Sequence, residues 1–346
     1  MITDAAVLFA PPEPPRIVRL AIPALRAGQV LVDVAYSGVC HSQILEVRGR
    51  RGPDRFLPHT LGHEGAGTVV AVGARVRKVR PGDRVVISWI RGRGADVAST
   101  VYAGPDGPVN SGAVSTFMRR TVTCESCVTP VPAAMPLREA ALLGCAVPTG
   151  AGIVRNLARV KPGRSVAVFG VGGIGLSAVL AARLARAHPI VAVDVVAHKL
   201  AHARAAGATH VVDARAEDAV AAIAALTGGA GVDYAIEAAG RRETMEAAIA
   251  AVRTGGGLCV LAGNLPHGER ISLDPFDLIR GKRVIGTWGG ETRPDRDVPR
   301  YAEAYLRGEL DLAGLITHEY PLDGIARAIE DLEAGRVARA LVDLAR

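Results

Sequence analysis

The chain has 346 residues, about two domains at roughly 150 residues each, which excludes a small scaffold held together by disulfides or metal staples. Hydrophobic residues make up 49% and charged residues 22%, and the 40 Gly and 21 Pro stay below the roughly 25–30% that marks low-complexity chains, so wholesale disorder is excluded. The net charge of +7 comes from 41 Lys and Arg scattered among 34 Asp and Glu. Without a like-charge block it signals no nucleic-acid-binding tail.

Met1-Ile2-Thr3-Asp4 lacks the basic region that opens a secretory signal. The one uncharged run able to imitate a membrane span, Ser165 to Ala182, is interrupted by Gly170, Gly172, Gly173 and Gly175. The expectation is a soluble protein with no membrane partner. Five irregularly spaced cysteines do not make a disulfide framework, which points to a reducing compartment, with the cytoplasm as the default.

From residue 1 to 147 the texture is β-like, with Val-rich runs such as Val30–Val34 and Gly67–Val72 separated by turns such as Pro81-Gly82-Asp83. From Ser165 the pattern alternates. Ser165–Phe169 reads as strand, Gly173–Arg186 as helix, Ile190–Val193 as strand and Lys199–Ala206 as helix, with further strands at Val232–Glu237 and Gly257–Leu261. Such alternation predicts a parallel sheet covered by helices on both faces. Helices are expected near 298–307 and 323–334, then a closing strand at Arg339–Leu344. There is no internal repeat.

Phe169-Gly170-Val171-Gly172-Gly173-Ile174-Gly175 places G-x-G-x-x-G directly after a buried strand and at the start of a helix. Gly170 permits the tight turn, Gly172 lets a pyrophosphate approach the backbone, and Gly175 lets helix and strand pack closely. Asp194, 19 residues beyond Gly175, suits the adenosine ribose hydroxyls, and its charge would repel a 2′-phosphate, so NAD is favoured over NADP. Lys199 could reach the same ribose or be a solvated lysine at a helix start.

Cys40, His63 and Cys145 offer two thiolates and an imidazole, a three-ligand zinc set whose fourth place is open for water or substrate. On spacing alone, both cysteines could equally be small buried hydrophobes. Glu64, next to His63, could stand behind the metal or ligate it transiently.

Cys40-His41-Ser42, Gly62-His63-Glu64-Gly65-Ala66-Gly67, Pro81-Gly82-Asp83-Arg84-Val85, Gly144-Cys145 and the Gly170–Gly175 loop with Asp194 together resemble the zinc-dependent medium-chain dehydrogenases/reductases of the alcohol dehydrogenase type. The match extends over essentially the whole chain, to Gly335 and Arg339. It implies an α/β fold: a GroES-like β-barrel catalytic domain at 1–147 and 288–346, and a doubly wound Rossmann domain for NAD at 148–287. It further implies reversible oxidation of an alcohol to a ketone or aldehyde, with Cys40, His63 and Cys145 holding one catalytic zinc and Glu64 behind it. Ser42 would begin a proton relay, His41 and Arg339 would pair with cofactor phosphates, and Thr149 would lie beside the nicotinamide. Trp89 falls where the family places an aromatic wall of the substrate pocket, or it is ordinary core. A homodimer or homotetramer is implied, with the apolar strand near Arg283–Gly286 able to pair with its copy.

The chain departs from the family's pattern in several places. Ile90–Met118 contains no cysteine, so no structural zinc is expected there, and Cys124 and Cys127 read as a coincidental pair. Gln43 stands where many members have an acid; its amide can still accept from the zinc-bound histidine but supplies no charge. Leu45 replaces a relay histidine, leaving water or His59 as the proton route. Arg48, Arg50, Arg51 and Arg55, with Arg91 and Arg93, suggest a polar or anionic substrate such as a sugar, cyclitol, polyol or phosphorylated alcohol, or simply a solvated basic rim. Two other readings are a zinc-free NAD(P)H enone or quinone reductase on the same fold, which the Cys40/His63/Cys145 set and Asp194 oppose, and an inactive NAD-binding protein.

Overall fold

The Val-rich segments of the first 145 residues pair as antiparallel strands around cores of Val, Leu and Ile side chains. In the computed structural model, which describes residues 1–345, the strands Ile2–Leu8, Arg16–Ala21, Val101–Gly104, Gly107–Asn110 and His59–Thr60 close a small barrel. A seven-stranded sheet has Gln29–Gly38 at its centre. On one side Gln29–Gly38 pairs with Glu64–Val72, which continues to Arg84–Ser88 and Val128–Pro130; on the other it pairs with Ala340–Asp343, next to His318–Pro321, and Arg120–Cys124 also joins it. The unit comprises residues 1–145 and 293–346, so the chain returns to it at its end. Two register irregularities, at Leu31/Val32 and Val34/Tyr36, bend the pairing of Gln29–Gly38 with Glu64–Val72.

Residues 146–292 form the second unit. Its six parallel strands lie in the order His210–Asp213, Ile190–Asp194, Val166–Phe169, Tyr234–Glu237, Leu258–Leu261 and Arg283–Gly286. Val166–Phe169 is buried at every position and needs no polar alternation, because helices cover both faces of such a sheet. The uncharged run from Ser165 resolves into this strand and the helix Gly173–Leu184. Among the described residues, no single helix is long and apolar enough to cross a membrane. The helix Gly173–Leu184 stops short of the expected Arg186, which takes a left-handed φ of 56°. The helix Pro294–Leu306 begins earlier than the expected 298, with a proline in its first turn and Asp295 and Asp297 at its positive end.

Candidate metal centre and active site

Strand register brings the three candidate ligands together. Ser37 pairs with Gly65, and Glu64 pairs with Ser88, so the chain just past Gly38 and the residue just before Glu64 emerge at one edge of the sheet. The Ser37 Oγ donates to the Glu64 carbonyl at 2.9 Å, fixing that edge. Ser88 Oγ donates to the Gly144 carbonyl at 2.6 Å and so draws in the third segment. Gly144 is required there: a Cβ would run into the Ile87 carbonyl and lie 2.8 Å from the Glu64 Cβ.

The Sγ atoms of Cys40 and Cys145 and a ring nitrogen of His63 all lie within 4.8 Å of one another. The thiols hydrogen-bond to each other, and this contact, with help from the His63 ring, holds Cys40 well below the usual thiol range although burial opposes it. The same contact and burial push Cys145 up. Burial works against a charged His63, but its hydrogen bond to Cys40 and the charge of that thiolate outweigh it and raise the imidazole. Two soft sulfurs and one imidazole, with no fourth protein ligand converging on them among the described residues, form a donor set that suits a catalytic zinc.

Cys40 caps the helix His41–Val47. Its backbone N–H donates to Gln43 Oε1 at 2.7 Å, and the Gln43 amide nitrogen lies 2.8 Å from His63 Nδ1. Gln43, read in the sequence as an amide able to accept from the histidine but without an acid's charge, is fully buried and contacts both Cys40 and His63. The signal that could have found it is its place three residues after the cap, where Glu or Gln reaches back to the capping N–H.

Among the described residues Glu64 is not in the cluster of candidate ligand atoms: its carboxylate is held by the Arg339 guanidinium in a buried ion pair. Arg339 also donates to the Val39 carbonyl at 3.0 Å, while its Nε has no hydrogen-bond partner. Sequence reasoning assigned these two residues separate tasks and missed that they pair. The indole of Trp89 hydrogen-bonds toward Cys145.

Beside His63 lies a cavity of about 350 Å³, lined among others by Glu46, Arg51, Asp54, Phe56 and His59. His59 is buried, with Nε2 2.8 Å from Asp54 Oδ2 and Nδ1 3.0 Å from the Thr60 carbonyl. Of the six arginines expected around the substrate, only Arg51 lines this cavity, and it lies 3.7 Å from Glu46. Arg48 pairs with Glu333, Arg91 with Asp96, and Arg55 lies over the Phe56 ring. Ser42 is half-buried in the first turn after Cys40, His41 is exposed, and Leu45 is buried.

In the second unit the Gly170–Gly175 segment joins the strand Val166–Phe169 to the helix Gly173–Leu184. Gly170 has φ +83°, a Cβ at Gly172 would meet nothing within 4 Å, and Gly175 packs against the Gly170 carbonyl. These are the turn, the open approach and the close packing that a pyrophosphate site needs. Ile174 continues the first helical turn after Gly173. Asp194 ends its strand and ties the loop down, accepting from Val171 N at 2.9 Å, Val195 N at 2.8 Å and Val196 N at 3.0 Å. Lys199 is half-buried on the next helix. The Thr149 hydroxyl is buried with no hydrogen-bond partner, a vacancy that a bound polar group would fill.

Residues 26–133 match the alcohol dehydrogenase GroES-like domain, and residues 173–306 match the zinc-binding dehydrogenase domain. An S-(hydroxymethyl)glutathione dehydrogenase from Synechocystis sp. is 34% identical over 99% of this chain and 100% of its own length. Among solved structures, an alcohol dehydrogenase zinc-binding domain protein from Burkholderia ambifaria has TM-score 0.92 and 33% identity, covering 99% of both chains. Benzyl alcohol dehydrogenase from Acinetobacter calcoaceticus has TM-score 0.90 and 28% identity, with the same coverage. The chain belongs to the zinc-dependent medium-chain dehydrogenases.

Membership in this family makes the protein an oxidoreductase with the two-domain α/β fold expected from its sequence, and it gives the Cys40/His63/Cys145 cluster its chemical meaning. The thiols of a zinc-binding dehydrogenase must be deprotonated to bind metal, and the contacts within the cluster shift Cys40 in that direction. In this dehydrogenase the Glu64–Arg339 pair sets a neutral, buried couple behind the ligands.

Proposed function

We propose that this dehydrogenase reversibly oxidises a polar, hydroxylated alcohol to a ketone or aldehyde, using one zinc ion and NAD. The convergence of Cys40 and Cys145 on His63, which itself lines the cavity, carries the reading. Zinc held by these residues would supply the Lewis acidity that brings an alcohol pKa toward neutrality, and NAD would supply the hydride acceptor. Ser42, two residues beyond Cys40, is the side chain assigned to take the hydroxyl proton at its Oγ. Leu45 cannot continue a relay, and the His59–Asp54 pair on the cavity wall is the buried group available to hold a proton further out. Gly170, Gly172, Gly173, Ile174 and Gly175 would cradle the pyrophosphate, with Asp194 and Lys199 at the ribose, His41 and Arg339 toward the phosphates, and Thr149 beside the nicotinamide.

The cavity sets Glu46 and Asp54 against Arg51 and His59. This near balance favours a polar substrate over a strongly anionic one. The relatives named S-(hydroxymethyl)glutathione dehydrogenases make S-(hydroxymethyl)glutathione, whose sulfur carries a CH2OH group, a first compound to test. Metal analysis of the purified protein, followed by NADH formation with polyols, sugar phosphates, benzyl alcohol and S-(hydroxymethyl)glutathione, tests the proposal. Support is one zinc per chain and turnover of a polar alcohol with NAD; metal-free protein that reduces enones with NADPH would overturn it. The free outer edge at Arg283–Gly286 supports pairing of two chains as a homodimer, or as half of a homotetramer.

A further inference from the structure

Two cysteines remain outside the metal centre in the first unit, at the end of the strand Arg120–Cys124 and in the turn Glu125–Cys127. Their sulfurs lie 3.2 Å apart, and the Ser126 Oγ lies 3.1 Å from the Cys124 Sγ. We infer that Cys124 and Cys127 form a second reactive site, a dithiol that exchanges reversibly with low-molecular-weight disulfides.

Metal binding does not explain the pair. Among the described residues, no third Cys, His, Asp or Glu brings a ligand atom within 4.8 Å of both sulfurs, and two ligands do not make a zinc site. Core packing explains the burial of both thiols but not why they face each other beside a cation. The Arg91 guanidinium is 3.7 Å from the Cys124 Sγ, and Asp96 Oδ1 is 3.8 Å from it. Those two side chains are 42% and 55% exposed, so the Cys124 sulfur stands one side chain away from solvent.

The turn is held firmly enough to keep the sulfurs together. Glu125 accepts from the backbone N–H groups of Arg77 at 2.5 Å, Lys78 at 2.6 Å and Ala95 at 2.8 Å, and the Ser126 carbonyl accepts from Gly92 at 2.7 Å. The contact with Cys127, aided by Ser126 and Arg91 against the effect of burial, lowers Cys124 to about 5. Cys259, in the parallel sheet of the other unit, is pushed up to about 12 by burial and is the inert reference. A thiolate beside a cation, with a partner thiol in reach, is the arrangement for exchange.

The step balances with a disulfide RSSR as oxidant. The Cys124 thiolate attacks one sulfur of RSSR, breaking its S–S bond, forming a mixed disulfide and releasing RS⁻, which takes up a proton. Cys127 then loses its proton and attacks the Cys124 sulfur, forming the Cys124–Cys127 bond and releasing a second RS⁻, protonated in turn. Two electrons pass from the dithiol to RSSR, which leaves as two RSH.

The test is a titration of the zinc-loaded protein in buffers of reduced and oxidised glutathione, with alkylation after an acid quench, intact mass and peptide mapping. Two of the five thiols should disappear reversibly as a Cys124–Cys127 link while zinc is retained. Cys127→Ser should trap one glutathione on Cys124, and Cys124→Ser should trap none at Cys127. In the reduced protein Cys124 should alkylate at least about tenfold faster than Cys259. The inference is overturned if both thiols stay free across the titration, or if the link forms only between Cys40 and Cys145 with loss of zinc. Mapping of the unmodified chain decides the matter even if either serine variant folds poorly.

Discussion

Gln43 shows how much of the metal centre depends on which atom of one side chain points where. The Cys40 N–H can only donate, so it must face the amide oxygen, and the amide NH₂ is left to face His63 Nδ1. A neutral histidine that binds metal through Nε2 carries its proton on Nδ1, where an NH₂ group is a poor partner. A carboxylate of the same shape would accept from both neighbours. Gln43→Glu should therefore tighten zinc by about 10- to 100-fold, the usual scale of ligand-supporting groups, as measured by competition with a chromophoric chelator. Weaker or unchanged binding would show that the amide already satisfies the ring. Cys40→Ala should remove zinc and turnover together while leaving NAD binding near its original Kd, which titration calorimetry can check. Arg339→Met should cost about 3–5 kcal/mol in urea unfolding, because the Glu64 carboxylate, 0% exposed, loses its counter-charge. Adding Glu64→Gln should restore most of that loss. The approach of Gln43 to the histidine was legible from the family pattern, but the Glu64–Arg339 pair was not: Cys40, His63 and Cys145 belong to recognisable motifs, whereas Glu64 and Arg339 lie in segments 275 residues apart, and only strand pairing brings them together.

At the scale of elements, the parallel sheet was readable where its strands are continuous apolar runs, as in Val166–Phe169 and Ile190–Asp194. The strand His210–Asp213 was missed because it is four residues long, only one of them buried, with a charged or ionisable group at each end. The helix Ala219–Leu226 was missed because its alanines show no apolar stripe; its clearest marker is Asp218, which accepts from Ala221 N at 2.8 Å as the cap. Asp194 couples two elements, holding Val171 of the glycine loop from the end of the neighbouring strand. Asp194→Ser should raise the KM for NAD and lower that for NADP, since the repulsion of a 2′-phosphate disappears. Steady-state kinetics with both cofactors checks this, and an unchanged preference would remove Asp194 from the ribose site. Asp233 performs a similar task at the other end of the sheet. Burial would raise its pKa, but bonds from Ser165 N and Oγ at 3.0 Å and from Arg253 at 2.9 Å outweigh it and hold the carboxylate below its ordinary value of 3.8. Its contribution is thus complete above pH 3.8 and is lost as the pH falls through the lowered folded value. Asp233→Asn should lose about 1.5–3 kcal/mol at neutral pH, and melting curves should show the difference from the parent protein vanishing in strong acid.

At the scale of the whole molecule, the +7 charge does not form a binding surface at the cavity, since most of the arginines near it in sequence are occupied by carboxylates or aromatic rings. The exposed apolar side chains cluster instead along residues 273–288. Phe276 is 56% exposed, Ile279 74% and Trp288 74%, next to the outer strand Arg283–Gly286. If two chains pair there, Ile279→Lys with Phe276→Glu should convert the oligomer to monomer in sedimentation at micromolar concentration; a monomeric parent protein would dismiss the edge as an interface.

The return of the chain to its first unit also sets an order of events during synthesis. Cys40, His63 and Cys145 are all synthesised before the parallel sheet, so the ligand set is complete before the second unit exists. The partner of Glu64 and the strand Ala340–Asp343 that pairs with Gln29–Gly38 come only after that sheet. Until then the nascent chain holds a metal site with an uncompensated acid behind it and an open sheet edge beside it. A ribosome that stops before Arg339 leaves the first unit, not the second, unfinished.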